Sequence, residues 1–105
     1  MNHMYLIVVD LISTTHDYAH LYNAIKQFGA WWHYLNNSWI VRTQQQLDLM
    51  VETLRAHIAQ GDHFMIVDIS NMPRNGWMPR DAWEWLRNHE ADTNTGTSQT
   101  TTTNE

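Results

Sequence analysis

The 105-residue chain has no cysteine, which removes a disulfide framework, a thiol nucleophile and a cysteine-based zinc knuckle, and is compatible with a reducing compartment. Only four glycines are present and none is arranged G-x-G, so no glycine-rich loop is available to cradle a phosphate. No serine or lysine stands in a recognisable nucleophile motif. Six basic residues against eleven acidic ones give a formal charge of −5. A protein that binds nucleic acid by neutralising phosphates is expected to carry a basic face, so this balance argues against that role. The apolar run in MNHMYLIVVDL is too short to span a membrane, follows no lysine or arginine and has no small-residue cleavage site. A cytoplasmic protein without membrane association is the expectation.

What the chain does have is aromatic. Six tryptophans matter in so small a domain, because each aromatic ring can bury about 150–250 Å². The run YLIVVDLI at 5–12 has no polar alternation and reads as a strand covered on both faces. Tyr18, Leu21, Tyr22, Ile25 and Phe28 then recur at helical spacing, with Ser13 to Thr15 as N-cap candidates and Gly29 as a stop. Two strands at 30–35 and 38–43 are joined by Asn36-Asn37, residues that tolerate the positive φ of a tight hairpin turn. A second helix follows, with Thr43 and Gln46 spaced as a capping box, a stripe of Leu47, Met50, Val51, Leu54 and Ile58, and Gly61 at its end. HFMIVDIS at 63–70 is a last strand. The order strand, helix, strand, strand, helix, strand predicts an α+β, ferredoxin-like βαββαβ sandwich: a four-stranded antiparallel sheet with two helices on one face. A loop and a short helix opened by Pro79 complete a domain over 1–90. Residues 91–105 have no large apolar side chain and read as a disordered polar tail.

A strict two-residue turn pairs Tyr34 with Trp39, His33 with Ile40 and Trp32 with Val41. It would place Trp32, Tyr34, Trp39 and Val41 beneath the helices, and Trp31, His33, Leu35, Ile40 and Arg42 on the reverse face. That face requires a cover, which the segment bearing Trp77, Trp83 and Trp85, a second copy or a ligand could supply. Trp31, His33, Leu35, Ile40, Trp77 and Trp83 are therefore candidate interface residues, and a homodimer is the expected assembly. Trp77, Trp83 and Arg80 also combine stacking and charge as a nucleic-acid platform would, with Arg42 and Arg74 as further candidate contacts to RNA or DNA. Burial against the sheet is the simpler role for Trp83 and Leu86.

For chemistry, Asp10 and Asp68 fall at opposite ends of antiparallel strands, which leaves Asp62 and His63 as the neighbours of Asp10. Asp10, Asp62 and His63 could hold a divalent metal such as Mg²⁺, although Asp62 follows Gly61, where aspartate is common for turn reasons alone. His16 and His20 have the i, i+4 spacing of helical ligands but no third ligand nearby. His33 fits a packing residue or a pH-sensitive interface group. No small-molecule cofactor is evident.

The stretches MYLIVVDL, LYNAIKQFGAWWHYLNNSWIV and FMIVDIS resemble a small ferredoxin-like superfamily that contains the CRISPR-associated adaptation endoribonuclease, the virulence-associated protein D toxins and the SinR-like proteins. The resemblance covers residues 4 to about 89 and is strongest to the SinR-like branch. It implies a homodimer. In the CRISPR-associated branch it implies an aspartate ending the first strand, here Asp10, that meets its symmetry mate to hold a metal for nuclease activity, or a scaffold role in spacer integration without cleavage. The acidic balance and the tryptophan-bearing end depart from that branch. Two expectations follow: a non-catalytic homodimeric assembly module, or a metal-dependent endoribonuclease using two copies of Asp10. Because the tail buries no apolar area, truncation after Glu90 is expected to shift the melting temperature, measured by calorimetry, by less than about 2 °C.

Overall fold

The computed structural model describes residues 1–90; the polar tail at 91–105 lies outside the described residues. The elements are β1 (His3–Asp10), α1 (Ala19–Lys26), β2 (Ala30–Leu35), β3 (Ser38–Thr43), α2 (Leu47–Arg55), β4 (His63–Asp68) and α3 (Arg80–Asn88). The strands form one antiparallel sheet in the order β2-β3-β1-β4, the ferredoxin-like arrangement. Alternation along β1 sends Tyr5, Ile7 and Val9 to the side where α1 and α2 lie, packed with Leu21, Ile25, Trp39, Val41, Met50 and Leu54. Met4 points the other way, into a second cluster with Trp32, Ile40, Ala82, Trp83 and Leu86. The sheet is thus clad on both faces: by α1 and α2 on one, and on part of the reverse by α3.

The hairpin departs from the strict register. Leu35 pairs with Ser38, but Trp32 pairs with Ile40 and Trp31 with Val41, so His33 and Tyr34 together oppose the single Trp39. This bulge inverts the outer half of β2. Trp32 and Tyr34 belong to the reverse face, where their rings pack 5.4 Å apart, and not beneath α1 and α2. Trp31 and His33 belong to the helix side, and His33 lies flat on Trp39 at 3.7 Å. The side chains themselves favour the extra residue: Trp32 gains a buried bed on Met4 and Ile40, and His33 Nδ1 donates to the Ser38 carbonyl at 3.0 Å.

Two helix starts also differ. Residues 13–18 form a loop, in which Ser13 Oγ accepts from the backbone N–H of Thr15 and His16 without a helix following directly. His16 consequently lies outside α1, and the pairing of His16 with His20 on one helix is not formed. Thr43 is not the cap of α2. It ends β3, donates to the Phe28 carbonyl at 2.7 Å and accepts from Gln45 N. Gly29 stands where it does for close packing as well as for stopping the helix: a Cβ there would run into the Arg42 carbonyl.

The reverse-face cluster is keyed by one hydrogen bond, from Trp32 Nε1 to the Ala82 carbonyl of α3 at 3.1 Å. The small side chain at Ala82 lets the helix backbone approach the indole. Trp83 beside it is 1% exposed, whereas Trp77 in the preceding loop is 74% exposed. Trp83→Ala is therefore expected to cost about 3–5 kcal/mol in urea unfolding, and Trp77→Ala within about 0.5 kcal/mol of nothing.

Candidate functional site

Antiparallel pairing puts Asp10 directly across from His63, as the strand order requires, while Asp68 pairs with Tyr5 at the far end. Asp62, however, does not join them as a free ligand. Its Oδ1 accepts from Ile12 N at 2.8 Å, and its Oδ2 from Tyr18 Oη at 2.6 Å and Ala59 N at 2.8 Å. This buried carboxylate fastens the loop before α1 to the turn before β4, a turn made possible by Gly61 at φ 91°. Among the described residues no group of three or more histidine, aspartate or glutamate side chains is placed to hold a metal, so the Asp10, Asp62 and His63 set is not a metal centre within one subunit. Asp10 remains exposed at the end of β1.

Electrostatics agree with a structural Asp62. Burial pushes its carboxyl up, but the hydrogen bonds from Tyr18, Ile12 and Ala59 and the nearby His16 ring outweigh this and hold it below the usual carboxylate range. Burial, and then the bond to Asp62, push the Tyr18 phenol up. Asp68 is similar: burial raises it, yet the Ser70 hydroxyl and N–H and the His3 ring, 3.1 Å away, bring it down overall.

The reverse face divides in two. Its β2, β3 and β1 portion lies under α3, so Ile40 and Trp83, expected as interface residues, are buried within their own chain. The β4 portion is different. Phe64 and Ile66 face α1 and α2, which turns Met65 and Val67 to the reverse, paired with Val8 and Leu6 of β1. Met65 is 60% exposed, and Val67, Leu35, Met72 and Trp77 are exposed as well. Asp10 and His63, two residues further along the same alternation, lie on this same face at its end. Of the other expected interface residues, Trp31 is exposed on the helix side at the β2 edge, with Lys26 Nζ 4.8 Å from its ring centre, and His33 is half-buried.

The three arginines considered for nucleic acid are placed unequally. Arg42 Nε donates to the Glu90 carbonyl at 3.3 Å, and Arg74 Nη2 stands 3.6 Å from Glu90 Oε1, so both draw on the residue two beyond the end of α3. Arg80 begins α3 and is exposed. Sequence reasoning missed Glu90 as the partner of Arg42 and Arg74, since nothing in its spacing marks it. It also missed a cavity of about 230 Å³ beneath α3, lined chiefly by apolar side chains together with Arg74 and Trp83. The described residues contain no helix long and apolar enough to cross a membrane. Comparison with protein-family models, curated proteins and solved structures finds no match to this chain.

Because its folded-state value lies below the unfolded one, Asp62 contributes stability that is complete above about pH 4 and is lost as pH falls through the lowered value. Asp62→Asn is expected to be less stable at pH 7 and to lose less further stability than the parent on acidification below pH ~4, checked by urea unfolding at a series of pH values.

Proposed function

We propose that the protein is a small cytoplasmic assembly module of the SinR-like kind, non-catalytic, that pairs with a second copy of itself through the uncovered part of its reverse sheet face. The observation carrying this reading is the division of that face. The apolar layer under α3 draws residues from β1, β2 and β3, while Met65 and Val67 of the edge strand β4 stand exposed beside Val8 and Leu6. A contiguous apolar strip on an edge strand is a recognised liability unless something covers it, and a two-fold pairing covers the strip with itself. The family resemblance, which implies a homodimer, supports the same partner. A lack of cysteine is compatible with a reducing compartment.

One observation keeps a second reading, the metal-dependent endoribonuclease. Asp10 lies on the same face as Met65 and Val67, so copies paired there could bring two Asp10 carboxylates together around a divalent ion. That reading requires magnesium-dependent degradation of RNA that vanishes in Asp10→Ala while the assembly is retained.

Light scattering is expected to give about 25 kDa, twice the chain mass of 12.4 kDa. Val67→Lys is expected to halve that mass, and Trp31→Ala, on the helix side, to leave it unchanged. A parent chain that stays monomeric at 100 μM would remove the pairing.

A further inference from the structure

We propose that, in the pair of copies inferred above, each chain seats its Trp77 in the cavity beneath the other's α3. The inference rests on that pairing and says what locks it. Trp77 is 74% exposed, although the loop carrying it is anchored. Gly76 lies against the Trp83 ring, where a Cβ would stand 3.8 Å from Cζ2, and Met78 packs on the cluster of Trp32 and Ile40. Asn75 and Met78, on either side of Trp77, both line the cavity, so the exposed indole stands at its rim. Leu35 and Met72 also line it and are exposed, so the cavity opens to solvent.

The cavity fits that ring in size and chemistry. Its volume is about 230 Å³. A cavity of roughly 150 Å³ holds benzene, and nine ring atoms in place of six scale that to about 225 Å³. Leu6, Ile40, Ile69, Met78 and Leu86 supply an apolar lining, and the Arg74 charge in the wall is balanced by Glu90, whose Oε1 lies 3.6 Å from Nη2, so an uncharged occupant is favoured. Residues 91–105 contain no large apolar side chain able to fill it. The cavity is continuous with the proposed pairing strip, since Leu6 lines it and pairs directly with Val67 of β4. A stable interface hides about 800 Å² on each partner, more than Met65 and Val67 can supply, whereas a seated aromatic ring adds about 150–250 Å² of its own and the walls that receive it. In a two-fold pair the same patch meets itself, and an axis passing between ring and cavity sets each ring over the other's opening.

Sedimentation of the full-length chain across a concentration series tests the lock. Trp77→Ala, its fold checked by near-ultraviolet circular dichroism, is expected to raise the dissociation constant of the pair at least about thirtyfold, the threshold of an interface hot spot. Leu35→Trp, which crowds the cavity mouth with a second ring, is expected to do the same. Mixed together, the two variants are expected to pair with each other more tightly than either pairs with itself, because the mixed pair keeps one free ring and one open cavity. Dilution of the parent is expected to move the ¹H–¹⁵N indole resonance of Trp77 and to leave that of Trp31 in place. If Leu35→Trp does not fold, Trp77→Ala and this dilution series decide. A dimeric parent whose Trp77→Ala variant is weakened by less than that, a mixture that pairs no better than its components, or a Trp77 resonance that ignores dilution would each overturn the lock and leave the pairing through β4 standing. A parent chain that stays monomeric at 100 μM would remove both.

Discussion

Two residues of β2, His33 and Tyr34, stand opposite the single Trp39 of β3, and that extra residue determines where every ring of the hairpin goes. With strict pairing Trp32 would stand across from Val41 on the helix side, where Trp31 stands instead. Displaced by one position, it turns to the reverse face and becomes the platform on which α3 rests, with its Nε1 satisfied by the Ala82 carbonyl. The bulge is thus what allows a chain of this size to build a third layer. A small domain hides a modest share of its unfolded surface, so a second apolar cluster on the far side of the sheet is a substantial addition.

The same geometry accounts for the arginines. Arg42 on β3 and Arg74 in the segment before α3 both reach Glu90, one through the carbonyl and one through the carboxylate. They hold the end of α3 to the sheet. In an acidic protein these cations are engaged internally, so they do not compose a surface that neutralises a phosphate backbone. Arg74 differs from an exposed partner in an ion pair because burial leaves it with donors that water cannot satisfy, and in a low-dielectric setting an unmade bond weighs more heavily.

Much of the fold was readable because apolar periodicity is a local signal. The four strands, two packing helices and the segment after Pro79 each announce themselves in runs or stripes, and antiparallel order then follows from chain connectivity. The faces of β2 were not readable. Alternation has a period of two, and a single inserted residue reverses everything on one side of it, while Asn36-Asn37 look the same with or without the bulge. The helix starts were not readable either: Ser13 makes a capping-type bond with no helix directly after it, and Thr43 bonds to the Phe28 carbonyl fifteen residues away, which only the tertiary setting supplies. At the site, the proximity of Asp10 to His63 followed from strand direction. The occupation of Asp62 did not, since its three donors come from Ile12, Tyr18 and Ala59, which no spacing brings together.

The bare strip on β4 follows from where α3 lies. Its nine residues, at about 1.5 Å each, extend some 13 Å, and they lie nearest to β2. Fixed at the β2 side by Ala82 on Trp32, it shares one apolar cluster with Ile40 of β3 and Met4 of β1, a cluster that includes no residue of β4. The fourth strand alternates Phe64 and Ile66 toward the helices with Met65 and Val67 toward the reverse, so it is apolar on both faces and among the described residues is covered on only one. Among the described residues the reverse side of β4 therefore stays exposed, and the proposed second copy would bring a strip of the same shape and the same chemistry.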